Sequence, residues 1–332
     1  MKTFFYHRDI PPFLTVLSAV PAMTRLRGVG MNCGCEYTDF PIFRRVGSYS
    51  RFDHSLGAAL IVWHFTGEMA PAAAALFHDI ATPAFAHTVD FMRGDTMKQE
   101  ATEDDTEELI LADGEIGPIL ARYGLETAQV TDYHRYPIAD NDSPRLSADR
   151  LEYTLGNALQ FGFAEWAELR ELYDDLTVVQ APDGQPELAF CRRADALRFG
   201  HLALACGAVY VSREDRYAMQ ILSELLKAAI DRGILAPELL RTDEETVIAA
   251  LLAHPDTARE WRRFRSLARM VPEGGLFPGR VVRAKKRYID PLVSGEGRLS
   301  ALDGDFARAV ENYLAEGQEE PLFAAAGPPL SA

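Results

Sequence analysis

From about residue 54 onward this chain is written in stretches of apolar residues at helical spacing, many opened by a capping residue or closed by glycine or proline. A chain written this way buries its apolar faces by packing helices on one another, so the expected fold is all-α. The stretch SLGAALIVWHF after His54 is closed by Gly67, and Met69–Asp79 carries Pro71 near its start, where proline is tolerated. Pro83 interrupts the chain after that. Ser147 is an N-cap candidate, and Thr242 with Glu245 reads as a capping box for residues 242–254. Residues 166–177 and 192–232 continue the helical pattern. The strand-like exception is LTVVQAPDGQPELAF, residues 176–190, which reads as a hairpin around Asp183-Gly184. Residues 1–30 read as a helical lead-in broken at Pro11, Pro12 and Pro21, and residues 28–51 as a loop with short strand pieces. The basic stretch 280–290 is a strand candidate, and the end, AAAGPPLSA, reads as disordered. The expected organisation is a helical domain carrying the chemistry over 1–190, a helical C-terminal subdomain over 191–290, and a partly flexible extension over 291–332.

Composition excludes several classes. A hydrophobic content of 48% over 332 residues supplies a sizeable core. No apolar run reaches the roughly eighteen residues a transmembrane helix needs, and MKTFFYHRDIPPFL does not read as a signal peptide. Cys33, Cys35, Cys191 and Cys206 are too sparse for a disulfide scaffold and fit a reducing cytoplasm. Cys33 and Cys35 lack the second pair that a structural zinc site requires and read as ordinary thiols. A net charge of −15 argues against a general nucleic-acid-binding face. It permits a small anionic substrate, because a metal ion and a few arginines invert the field locally. Basic residues cluster at Arg44, Arg45 and Arg51, at Arg262, Arg263 and Arg265, and at Arg280, Arg283, Lys285, Lys286 and Arg287. The later two clusters read as solvated faces or tails.

Three separated phrases carry chemistry: Arg51-Phe52-Asp53-His54-Ser55-Leu56-Gly57, Leu76-Phe77-His78-Asp79-Ile80 and Ser147-Ala148-Asp149-Arg150-Leu151-Glu152-Tyr153. Adjacent residues on a helix point roughly 100° apart, so His78 and Asp79 reach one ion together where the helix end lies on it. Two imidazoles and two carboxylates suit one divalent ion of Mn, Fe, Ni, Zn or Mg and leave positions for water and substrate. His87 and Asp90 stand three apart, as on one side of a helix, and an aspartate-oriented histidine is a candidate acid or base. His134 reads as a surface-loop residue, a substrate contact or an added metal ligand. His64 and His201 read as helix-packing residues.

At these phrases the sequence resembles the HD superfamily, and within it most closely the deoxynucleoside triphosphate triphosphohydrolases, whose phrases run near RFEHSLG, LLHDIGHGPFSH and DVDRLDY. The resemblance covers roughly residues 20–270. It implies an HD-type helical fold with His54, His78, Asp79 and Asp149 as metal ligands and Arg51 as a phosphate contact. It places Tyr153 at a substrate-contacting tyrosine and Asn157 at an aspartate near the sugar hydroxyl. His87 and Asp90 match kept positions, whereas Thr82 and Gln99 stand where the family has histidines. A metal-dependent phosphohydrolase acting on a nucleotide or related phosphate ester is the expected activity, with a nucleoside monophosphatase as the other enzyme reading. A nucleotide-binding regulatory protein with little turnover is the alternative, which the two replaced histidines favour. A di-iron oxygenase would need more histidine ligands. The resemblance also implies a homo-oligomer.

Overall fold

The computed structural model describes residues 6–44, 47–97 and 105–327. Arg45 and Gln99 lie outside the described residues, as does the end beyond 327. The lead-in forms α1 (Pro12–Leu17) and α2 (Pro21–Thr24), and the prolines there begin the helices rather than break them. The missing N–H of proline costs nothing in the first turn. A loop with one bridge, Gly30 to Ser50, leads into α3 (Arg51–Thr66). Ser50 and Asp53 form a reciprocal capping box at its start, and Gly67, left-handed at φ 67°, ends it. Helix α4 (Met69–Phe77) packs along α3. Then come α5 (Thr88–Arg93), α6 (Thr106–Ala112), α7 (Ile116–Arg122) and α8 (Ala148–Phe161). Ser147 accepts from the Arg150 N–H as the cap of α8, as its sequence position predicts.

Helix α9 (Trp166–Asp174) precedes the expected hairpin, β1 (Leu176–Gln180) antiparallel to β2 (Pro186–Phe190). Helices α10 (Arg193–Tyr210), α11 (Arg213–Asp231), α12 (Glu244–Leu252) and α13 (Pro255–Arg265) follow, then β3 (Leu267–Val271). The cap of α12 is Asp243, one residue beyond the expected Thr242, because Asp243 accepts from the Thr246 N–H. The chain ends with β4 (Leu292–Val293), β5 (Gly297–Arg298), α14 (Leu299–Leu302), α15 (Gly304–Ala315) and β6 (Phe323–Ala326). The fold is therefore mostly helical but not all-α: β4 joins the hairpin in parallel, and β6 pairs with β3. The expected disordered end is corrected up to Ala326 by that pairing. The expected strand at 280–290 is an extended segment with a single bridge, Arg280 to Leu322.

Buried apolar side chains form two large clusters. One gathers α1, α3, α4, α7, α8 and α10, and the other gathers α5, α11, α12 and α13 with β3 and β6. Side chains such as Leu60, Phe77 and Leu155, fully buried here, each stabilise the fold by about 2 kcal/mol. Helices α3 and α8 approach closely at Gly57, where an added Cβ would stand 2.6 Å from Glu152 Oε1. At an open helical position Gly→Ala stabilises by about 1 kcal/mol. Gly57→Ala is instead expected to destabilise by about 1–3 kcal/mol through overpacking, read as a lower urea midpoint at unchanged m-value.

Glu36, half-buried on the loop, stands near Glu244, buried on α12. Glu244 accepts from the Gly30 N–H at 2.9 Å and from the Tyr37 hydroxyl at 2.8 Å. Burial, then the neighbouring Glu244 charge, pushes Glu36 from 4.5 up to about 8. The folded state therefore holds a proton that the unfolded chain releases, so this group's stabilisation is present below pH 4.5 and lost as pH rises toward 8. Glu36→Gln should flatten the decline in stability across that interval, measured by urea unfolding at stepped pH.

Candidate metal centre

Helix α3 delivers His54, the end of α4 delivers His78, and the first turn of α8 delivers Asp149. Their ligand atoms all lie within 4.8 Å of one another. Helix α4 ends at Phe77, so His78 caps it and Asp79 falls in the turn beyond. That termination lets two adjacent residues face one point. The two Nε2 atoms are 3.1 Å apart, and Asp149 Oδ1 lies 3.0 Å from His54 Nε2 and 3.4 Å from His78 Nε2. Asp79 Oδ2 is farther, 3.9 and 3.7 Å from the same nitrogens. It accepts from Arg51 Nη1 at 2.9 Å, while Asp79 Oδ1 accepts from the Thr82 hydroxyl at 2.8 Å.

The far side of each imidazole fixes its tautomer. His54 Nδ1 stands 2.6 Å from Glu152 Oε2, and His78 Nδ1 stands 2.7 Å from the Ala75 carbonyl. Both partners accept, so Nδ1 carries the proton and the Nε2 lone pairs are turned toward each other. Two lone pairs and a carboxylate converging on one point suit a divalent cation. Electrostatics agrees. Burial works against a charged His54, but hydrogen bonds to Asp149 and Glu152 outweigh it and bring the imidazole up to about 10. The cluster thus favours positive charge, which a metal ion would supply in place of the proton. Burial also opposes the charge on Asp79, yet Arg51 and the two histidines hold its carboxyl well below the usual range.

A pocket of about 480 Å³ opens over the cluster. His87 lines it, with Nδ1 2.9 Å from Asp90 Oδ2. Burial lowers His87, against the hydrogen bond to Asp90, so the ring is neutral near pH 7. The backbone before it is strained: Phe85 and Ala86 have φ of 64° and 43°, and Cys33 has 56°. The Thr88 hydroxyl donates to the Cys33 carbonyl at 2.7 Å and ties the strained turns together. His134 lines the pocket with Nδ1 2.9 Å from Asp140 Oδ2, and the Tyr133 ring lies 5.0 Å from that of His78. Tyr153 and Asn157 line it from α8, and Asn157 donates to the Tyr210 hydroxyl at 2.7 Å. The expected site residues thus border one pocket, with Asp90 set behind His87 and fully buried.

The sequence reasoning passed over Glu152, which the Tyr49 hydroxyl at 2.5 Å and the Tyr6 hydroxyl at 3.2 Å also approach. Its signal was present: it follows Asp149 by three residues, on the same helix face. The basic stretch read as solvated is corrected in part, because Lys285, Lys286 and Arg287 line the pocket.

The site is thus of a class defined by chemistry, a buried histidine–aspartate cluster fit for a metal ion. Comparison with known proteins adds names for two relatives. The chain is 25% identical over 211 residues to the uncharacterized protein YdhJ of Bacillus subtilis, covering 62% of each chain. It is 24% identical over 204 residues to the metal-dependent phosphohydrolase cns2 of Cordyceps militaris, covering 61% of this chain and 55% of that protein. The matched part is less than two thirds of either relative's length. No family model matches the chain. No helix among the described residues is long and apolar enough to cross a membrane.

Glu152→Gln is expected to weaken Mn²⁺ binding by about 10–100-fold, because it removes the carboxylate that orients His54. Titration of the ion by isothermal calorimetry checks this.

Proposed function

We propose that this chain is a metal-dependent phosphohydrolase of the HD type, acting on a nucleotide or related phosphate ester. The observation that carries the reading is the pair of imidazoles with Nδ1 engaged and Nε2 convergent beside Asp149, at the floor of a pocket edged by Arg51. The name of the Cordyceps relative supports metal-dependent phosphohydrolysis and says nothing of a nucleotide. In this reading His54, His78, Asp79 and Asp149 hold one divalent ion. A bound ion would polarise a phosphoryl oxygen and make water acidic enough to react near neutral pH. Arg51 neutralises phosphate charge, and its Nε, buried and without a partner among the described residues, is a donor in reserve. His87, neutral and oriented by Asp90, accepts or passes a proton. Tyr153, Asn157 and His134 contact the rest of the substrate, and the active form is a homo-oligomer.

Thr82 favours a departure from triphosphohydrolase chemistry. Its hydroxyl is committed to Asp79, so the position offers no titratable group. Hydrolysis of a monophosphate, or binding with little turnover, is the second reading.

The test incubates the protein with Mn²⁺ and a panel of deoxynucleoside triphosphates, nucleoside triphosphates and monophosphates, and resolves products by ion exchange. Metal-dependent product is expected, falling to the uncatalysed rate in Asp149→Ala and Asp79→Ala. Nucleoside plus triphosphate would support triphosphohydrolase chemistry, and orthophosphate from monophosphates the other enzyme reading. Nucleotide binding without product would support the regulatory one.

A further inference from the structure

Of the five lysines and arginines that line the pocket, Arg51, Arg150, Lys285 and Lys286 already interact within the protein itself. Arg51 pairs with Asp79. Arg150 pairs with Asp140 at 2.9 Å and donates to the Arg145 carbonyl at 2.7 Å. Lys286 donates to the carbonyls of Tyr313, Leu314 and Glu316, and so closes the C-terminal end of α15. Arg280 and Arg283, upstream on the same segment, pair with Glu224 and Glu319. Arg287 differs: among the described residues its guanidinium has no hydrogen-bond or ion-pair partner, although its backbone is clamped. Its N–H donates to the Tyr313 hydroxyl at 3.3 Å, and that hydroxyl donates to the Gly207 carbonyl at 3.1 Å. Its carbonyl lies so close to α10 that a Cβ at Gly207 would stand 2.6 Å from it. The backbone that carries this cation is therefore fixed, and the guanidinium has no counter-charge among the described residues.

That guanidinium belongs to a residue that lines the pocket together with His87, Tyr153, Tyr210 and Asp215. Arg51, Arg287 and His87 all line this pocket, and the charges of both arginines act on His87. Asp215 does not neutralise Arg287: burial pushes its carboxyl up to about 8, so it keeps its proton at neutral pH. An unpaired guanidinium in a pocket of a chain with net charge −15 has a planar fork suited to phosphate oxygens.

Resting on the function proposed above, we infer that Arg287 binds a second phosphate of the ligand, distinct from the one held at Arg51 and the histidine–aspartate cluster. The second phosphate is either the next in an anhydride chain or a separate ester on the same sugar. Arg287 holds it from a backbone segment clamped at Tyr313 and Gly207.

The test titrates the Mn²⁺-loaded full chain calorimetrically with three probes: a nucleoside 5′-monophosphate, its α,β-methylene diphosphate and its 3′,5′-bisphosphate. At least one two-phosphate probe is expected to bind more tightly than the monophosphate. Arg287→Gln should erase that gain, a loss of about tenfold or more for a charge-assisted contact, and leave the monophosphate affinity within about twofold. Arg287→Lys should restore part of the gain. A diphosphate gain identifies the chain arrangement, and a bisphosphate gain the ester arrangement. Equal losses for all three probes, no change in the variant, or no two-phosphate gain in the wild type would overturn the inference, with thermal unfolding confirming that the variant is folded. The two readings fail separately. Metal-dependent hydrolysis with no Arg287-dependent gain removes the second site alone. An Arg287-dependent gain with no hydrolysis of any substrate removes the phosphohydrolase reading alone.

Discussion

A carboxylate in the interior of the molecule governs the geometry of the candidate centre. Glu152 is buried on α8, beside the glycine where α3 comes closest, and it engages His54 Nδ1 together with two tyrosine hydroxyls. A carboxyl group so deep in the protein is tolerated because its oxygens are engaged in hydrogen bonds. That engagement locks the His54 ring, and the locked ring turns its free nitrogen toward His78. The close packing at Gly57 and the chemistry at Nε2 are thus two sides of the same carboxylate.

Around this point the protein distributes its charges unevenly. Asp79 is held between a guanidinium and a hydroxyl, and Asp140 between Arg150, Ser147 and His134. Such pairs position side chains within a shared pocket. Strain is concentrated in the same neighbourhood, at Cys33, Phe85 and Ala86. Arg25 helps to hold it: its guanidinium donates to the carbonyls of Ile80, Thr82 and Thr242 and so fastens the turn after Asp79 to the lead-in and to the approach to α12.

What the sequence disclosed followed from locality. The Ser147 cap, the Gly67 stop and the hairpin at Asp183-Gly184 are decided by residues a few positions apart, and all three are present. The His–Asp phrases were legible because each sits at a helix end or in a first turn. The Asp243 cap was missed by one position because Thr242 and Asp243 are both competent acceptors, and tertiary context chose between them. The strand pairing of residues 323–326 with 267–271 was hidden because small alanines carry little strand signal. The role of Glu152 depends on partners at positions 6, 49 and 54, which no local pattern connects. The basic residues at 285–287 look solvated until the fold lays them along a pocket formed by distant helices.

The Glu152 network also bears on how the chain comes to its native state. Its hydrogen bonds join residues separated by 146, 103 and 98 positions. Contacts of such separation cost the most loop entropy and form late. During synthesis Tyr6, Tyr49 and His54 must wait for α8 to emerge before any of them meets its acceptor. His54 therefore acquires its final orientation only after α8 exists, whereas His78 is oriented locally by the Ala75 carbonyl. An ion that binds at this cluster would therefore meet its complete ligand set only late in folding, as a closing event rather than a seed.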